Sequence, residues 1–214
     1  MKEYSMKKLR NLMLMGSSGS GKTILAEQIF YLSKSTNRLG KIDEGNTVMD
    51  FDPEETAKKM SLGLSIGYAN FNDHKLNILD APGYPDFVGD AIVALPAVEN
   101  VVIVANATGG FEVGLELALE QVDGKKKGKV ILVNRMDNEH ADYDKTLEAI
   151  HENTGINPVK VHIPIGKEGS FEGVVDVIRQ KAIKSGVESD VPANMTDAVE
   201  EARLHLMEAV AETS

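Results

Sequence analysis

Gly16-Ser17-Ser18-Gly19-Ser20-Gly21-Lys22-Thr23 stands directly after the mostly apolar run Leu9 to Met15 and directly before the helix-prone stretch Ile24 to Leu32. The spacing G-x-x-x-x-G-K-[ST] puts glycine where the backbone must turn tightly around an anion, so that successive N–H groups point at a β-phosphate. Lys22 then reaches the β- and γ-phosphates, and the Thr23 hydroxyl is placed to ligate Mg²⁺. A helix opening at Lys22 adds the positive end of its dipole to the same spot. A flexible Gly/Ser linker would not end in Gly-Lys-Thr between a strand and a helix. All eight residues are therefore candidate nucleotide-binding residues.

Outward from this loop, apolar runs of strand length recur at Leu9 to Met15, Lys75 to Leu79, Val101 to Ala105 and Val130 to Val133. Between and after them, Ile24 to Leu32, Phe87 to Val98, Val113 to Val122 and Tyr143 to Asn153 space their apolar residues at three and four, as helices covering a sheet do. This alternation predicts an α/β fold of the P-loop NTPase type, with a mostly parallel sheet, helices on both faces, and ligands at the carboxyl ends of the strands. Leu62 to Phe71 is a further strand, joined through Asn72-Asp73-His74 to Lys75–Leu79 as an antiparallel hairpin. From about Gly155 the texture changes. Pro158 to Gly166 and Gly173 to Ile183 read as strands of a separate small sheet, and Thr196 to Ala211 as a long acidic amphipathic helix. The predicted organisation is a nucleotide-binding domain over residues 1–157, lacking its C-terminal end, and a partial small α+β subdomain over 158–214.

Composition excludes several classes. The chain has 214 residues, 42% of them hydrophobic and 26% charged, with no cysteine and a net charge of −10. Disulfides and thiolate metal sites are ruled out, and no apolar run approaches the roughly 20 residues of a membrane span. The acidic balance opposes broad adhesion to nucleic acid, which lysine and arginine drive by neutralising phosphates. Met1-Lys2-Glu3-Tyr4 lacks a signal peptide's apolar segment, so a cytoplasmic location is expected; the chain is further expected to be a monomer without membrane or sequence-specific nucleic-acid partners. The five histidines show no metal-ligand spacing, and Glu54-Glu55 reads as a solvated pair rather than an acid and base.

Two further motifs fall at strand ends. Asn77-Ile78-Leu79-Asp80-Ala81-Pro82-Gly83 ends a buried strand in an aspartate and a sharp turn. Asp80 is placed to hold a water on Mg²⁺, and the Gly83 amide to bond a γ-phosphate. Asn134-Arg135-Met136-Asp137 follows Val130–Val133. The Asp137 carboxylate can accept two N–H bonds from guanine, from N1 and the exocyclic amine. Adenine has an acceptor at the first position and nothing at the second, so it would leave polar groups unpaired. Asn134 is expected to brace the loop while the Arg135 stem covers one face of the base.

Together these residues resemble the translational GTPases, and the long agreement points to elongation factor G. The stretch Asn77 to Phe87 is similar to that family's second switch, and Val133-Asn134-Arg135-Met136-Asp137 to its guanine motif, with arginine where lysine is usual. Ile163-Pro164-Ile165-Gly166 with Phe171-Glu172-Gly173-Val174-Val175-Asp176 resembles the start of the subdomain that elongation factor G inserts in its G domain. Tyr84 and Asp50-Phe51-Asp52-Pro53-Glu54-Glu55 look more like the divergent second type of elongation factor G. The resemblance implies GTP/GDP and Mg²⁺ as ligands, GTP hydrolysis with Lys22, Gly83 and Tyr84 at the reacting phosphate, and the ribosome as partner. It also implies a first switch whose hydroxyl closes over the metal, for which Ser61 is the match, in a segment, Leu39 to Ser61, that is mobile without GTP.

Departures from the family pattern matter equally. Tyr84 stands where elongation factor G has the histidine that orients the attacking water, and a phenol with an ordinary pKa near 10 is no ready base at neutral pH. Gly19 replaces an aspartate of the phosphate loop. Hydrolysis is therefore expected to be slow unless a partner assists. The family's serine-alanine motif, which supports the guanine base, is not found between Asn138 and Ser214, which implies a fragment of a longer chain. Two other readings are a nucleotide-gated binding module with negligible hydrolysis, favoured by Gly19 and Tyr84, and an ATP-using enzyme, opposed by Asp137.

Overall fold

A computed structural model of the chain describes residues 4–212; Met1, Lys2 and Glu3, which carry most of the argument against a leader peptide, lie outside them. Two compact units divide the chain, Met1–Asn134 and Arg135–Ser214.

The first unit is built on a five-stranded sheet of β1 (Leu9–Met15), β2 (Ser65–Phe71), β3 (His74–Asp80), β4 (Asn100–Asn106) and β5 (Gly128–Asn134), in the order β2-β3-β1-β4-β5. β1 pairs in parallel with both β3 and β4, and β4 with β5, while β2 turns back antiparallel on β3. The hairpin follows from Asn72 and Asp73, whose φ angles of 45° and 61° supply the left-handed pair that a two-residue turn needs. The helices are α1 (Lys22–Leu32), α2 (Pro53–Lys58), α3 (Val88–Ala94) and α4 (Val113–Val122). Phe30 and Ala26 of α1 pack with Leu14, Ala69 and Ile78 on one face of the sheet. Met13, Leu79, Val101 and Ile103, alternating with those strand residues, are buried on the other. This is an α/β P-loop NTPase fold. Its strand order reverses at β1, which puts the carboxyl end of that strand at the point where open α/β sheets take ligands.

Two elements differ from the sequence expectation here. The helix read as Phe87 to Val98 is α only over Val88–Ala94, with 3₁₀ turns at Pro85–Phe87 and Leu95–Ala97, because Pro96 has no N–H to continue the ladder. α2 lies inside the segment expected as a mobile first switch, where the sequence reading has no helix. Its signal was present: Asp52 caps the helix, Pro53 opens it, and Glu55 completes a capping box.

The second unit contains α5 (Tyr143–Thr154), an antiparallel sheet in the order β6 (His162–Ile165), β7 (Gly173–Asp176), β8 (Lys181–Lys184) and β9 (Val187–Ser189), and α6 (Thr196–Glu212). Val175 and Ala182 of the sheet pack with Val199 of α6. The run Gly173 to Ile183 is not one strand. The Asp176 carboxylate accepts the N–H groups of Ile178 and Arg179, each at 2.9 Å, and folds the chain back before β8. β9 escaped the sequence reading because three residues carry no period, although Ser185-Gly186 is a two-residue turn with both φ positive. Among the described residues no helix is long and apolar enough to cross a membrane.

Candidate functional site

β1 ends at Met15 and the chain enters the loop Gly16 to Gly21 before α1 opens at Lys22. Gly21 sits at φ 99°, and a Cβ there would overlap the Asn134 side-chain amide. That amide comes from the last residue of β5, and its Nδ2 donates to the Ser20 carbonyl at 2.8 Å. Glycine at position 21 thus permits both the left-handed turn and the brace across from β5. Lys22 is turned inward with only 6% of its surface exposed, and its Nζ donates to the carbonyls of Gly16 (3.0 Å) and Ser17 (2.8 Å). Burial lowers its pKa, against the raising effect of Asp80, Asp50 and Glu112. The Ser18 amide donates to the Gly83 carbonyl at 3.0 Å, so the turn after β3 lies directly on the phosphate loop.

The three residues expected around a metal are brought together. Thr23 Oγ1 donates to Asp80 Oδ2 at 2.7 Å and lies 3.2 Å from Ser61 Oγ. Ser61 Oγ in turn donates to Asp50 Oδ1 at 2.7 Å. Each hydroxyl has one proton, and each proton is directed to a carboxylate, so the two oxygens face one another with lone pairs. Neighbouring oxygens of an octahedral Mg²⁺ with bonds of about 2.1 Å lie about 3.0 Å apart, a separation close to that of this pair. Asp50, absent from the candidate set, belongs to the cluster at 5% exposure. Burial pushes the Asp80 carboxyl up to about 6 despite the Thr23 hydrogen bond and Lys22, and it raises Asp50 as well.

The donor set fits the expected ligands. Ser17 Oγ, Ser20 Oγ, Asp50 Oδ2 and Asp80 Oδ1 are all buried without a hydrogen-bond partner, a costly state unless something else satisfies them. Two loop hydroxyls and two carboxylate oxygens are the groups that a phosphate chain and a hydrated divalent cation would engage. Residues holding such a cation would be Thr23 and Ser61 directly, and Asp80 and Asp50 through water.

Tyr84 follows Gly83, is 40% exposed, and lines a small crevice with Met15, Val88, Ala91, Leu117 and Ala118. The crevice is lined mainly by apolar residues of β1, α3 and α4. Glu55 departs from the solvated reading: it is 4% exposed and its carboxylate accepts three backbone N–H groups. The segment expected as a first switch therefore carries its own hydrogen-bonded structure from Asp50 to Gly63. Of the guanine motif, Asn134 closes the first unit, whereas Arg135, at φ 61°, and the exposed Asp137 belong to the second.

Residues 7–213 match the family model described as Elongation factor Tu GTP binding domain. A crystal structure of a protein from Thermus thermophilus is similar at a TM-score of 0.88 and 30% identity, over 96% of this chain and 31% of that one. The chain therefore spans about a third of the length of that relative.

Proposed function

This chain belongs to the translational GTPases, the family of the elongation factor Tu GTP-binding domain, and from that membership we propose that it is the nucleotide-dependent switch of an elongation factor G-like protein of the divergent second type. It is a GTP-binding domain; the proposal concerns what binding does. Residues 1–157 form the G domain and 158–214 part of its inserted subdomain. The amides of Gly16 to Thr23 and the Lys22 ammonium hold the phosphates, Asp137 accepts the guanine N–H groups, Asn134 fixes the loop, and the Arg135 stem covers the base. Thr23, Ser61 and Asp80 would hold Mg²⁺, which would supply positive charge against the phosphates. Tyr84 orients water without acting as a base, the Gly83 amide contacts the γ-phosphate, and slow hydrolysis lets the switches relax. The ribosome is the partner that accelerates it.

The observation that supports this best is the facing pair of hydroxyl oxygens, Thr23 Oγ1 and Ser61 Oγ, between two buried carboxylates. A second reading, a nucleotide-gated binding module with negligible hydrolysis, is favoured by the apolar surroundings of Tyr84. Isothermal titration of GDP, GTP and ATP with and without Mg²⁺ tests the first step. Guanine nucleotides are expected to bind and ATP not to, with the Lys22→Ala variant losing the triphosphate; equal binding of ATP refutes the base assignment. Single-turnover hydrolysis by the full-length protein with and without ribosomes then separates the two readings, since a rate that ribosomes leave unchanged favours the module.

A further inference from the structure

Glu55 has no part in the chemistry above, yet it is one of the few buried carboxylates of the first unit. Its Oε1 accepts the N–H of Leu62 at 2.8 Å and of Gly63 at 3.1 Å, and its Oε2 accepts the N–H of Asp52 at 3.3 Å. These amides flank the segment on both sides: Asp52 lies two residues after Asp50, and Leu62 directly follows Ser61. One side chain thereby ties the beginning of the segment to its end, with α2 as the intervening spacer. The closure coincides with the place where Ser61 Oγ meets Asp50 Oδ1 and Thr23 Oγ1.

Its charge is felt across the cluster. Glu55 acts on both Asp50 and Asp80, and Lys22 is the cation that opposes it there. Backbone amides satisfy the carboxylate's oxygens but bring no compensating positive charge. With Glu112 also acting on Lys22, carboxylates outnumber the one ammonium here, and the surplus negative charge favours a cation beside them.

We propose that Glu55 is the positioning residue of the first switch: by holding the amides of Asp52, Leu62 and Gly63 it closes residues 50–63 into a preformed loop that presents the Ser61 hydroxyl to magnesium. This rests on the reading of Ser61 as a metal ligand. Glu54, one position away, does none of this. It is exposed and pairs with Lys58 at 2.7 Å, and so serves as control.

The experiment titrates Mg²⁺ into the full chain with a non-hydrolysable GTP analogue, for the native protein and for Ser61→Ala, Glu55→Gln and Glu54→Gln. It also follows hydrogen exchange of the Leu62 and Gly63 amides without nucleotide. Glutamine at 55 keeps the size but puts an N–H₂ donor against N–H groups and removes the charge. Loss of one charge-assisted bond, worth about 1.5 kcal/mol, corresponds to an increase of about tenfold in the Mg²⁺ concentration for half-saturation. Exchange at Leu62 and Gly63 should accelerate by at least about as much, while analogue affinity in excess chelator stays within about twofold and Glu54→Gln behaves as native. If Ser61→Ala shifts the Mg²⁺ requirement and Glu55→Gln does not, the inference fails and the Ser61 reading survives. If Ser61→Ala leaves the requirement unchanged, both fall. Should Glu55→Gln also lose exchange protection in β1 and β4, Glu55→Asp, which keeps the charge but retracts it by one methylene, must give the same Mg²⁺ shift with the core protected; a native requirement overturns the inference.

Discussion

Replacing Asp80 by asparagine should make the nucleotide-free protein more stable at neutral pH while removing its response to magnesium. In the folded chain the Asp80 carboxyl sits at about 6 rather than 3.8, chiefly because burial disfavours the anion. The native state therefore holds this proton more tightly than the unfolded chain. Stability from this group is fully present below about 3.8 and is lost as pH rises through about 6. A gap of roughly two decades at about 1.4 kcal/mol each amounts to about 3 kcal/mol by pH 7.5. Asp50, raised for the same reason, adds to the slope with the same sign. Asparagine keeps an oxygen for the Thr23 hydroxyl, which donates at 2.7 Å, and carries no charge, so about 1–3 kcal/mol of this penalty should be recovered. Urea unfolding between pH 5 and 8 measures it: the native chain should weaken steadily to about pH 6.5, and the variant should show a shallower slope. With GDP and Mg²⁺ the order reverses, because the cation stabilises the carboxylate that burial opposes. A variant no more stable than the native chain at pH 7.5, together with a native profile flat across this window, would refute the electrostatic account.

Other perturbations are expected to act as follows. A Cβ on Gly83 would lie 2.5 Å from both Lys22 Nζ and the Ser18 nitrogen; Gly83→Ala must therefore push the turn off the phosphate loop, at a cost of about 2–4 kcal/mol from overpacking and the lost Ser18–Gly83 bond, which chemical denaturation of the nucleotide-free chain measures. Asp137→Asn should weaken GTP by about 2 kcal/mol or more and improve xanthosine triphosphate, whose added carbonyl accepts the new amide; competition binding with an unchanged preference removes Asp137 from base recognition.

The parts of the fold written in period and punctuation were legible. Gly16 to Thr23 declares a turn between strand and helix, and β1, β3, β4 and β5 are apolar runs long enough to stand out. Asp80 and Thr23 could be paired from motif alone, and the structure places them in one hydrogen bond. What escaped depends on contacts distant in sequence or on very short elements. Glu55 reads as surface charge because its neighbours are polar; only the return of the chain at Leu62 and Gly63 buries it. Asp50 likewise joins the site through Ser61, a contact no local window contains. β9 has too few residues for alternation to register.

The loop's donors and its acceptors are in different states, and the difference bears on how binding couples to motion. Lys22 Nζ and the Ser18 amide already donate to carbonyls of Gly16, Ser17 and Gly83. Those partners are neutral carbonyls, so a charged phosphate oxygen makes the Ser18 bond charge-assisted, roughly twice as strong, and sets an opposite charge against the Lys22 ammonium. In the loop and the acidic cluster beside it, the unpartnered atoms are instead Ser17 Oγ, Ser20 Oγ, Asp50 Oδ2 and Asp80 Oδ1; among the described residues Glu27 Oε2 is the other such atom. A phosphate can use the two hydroxyls but repels the carboxylates, which take a cation or its bound water instead. Under the proposed reading, phosphate and metal therefore act on different defects, the first through the loop and the second through the acidic cluster beside it. The Ser18 amide joins the two to the switch. An anion that takes this donor must displace the Gly83 carbonyl, and with it the turn that carries Tyr84, so occupancy and switch position compete for a single N–H group.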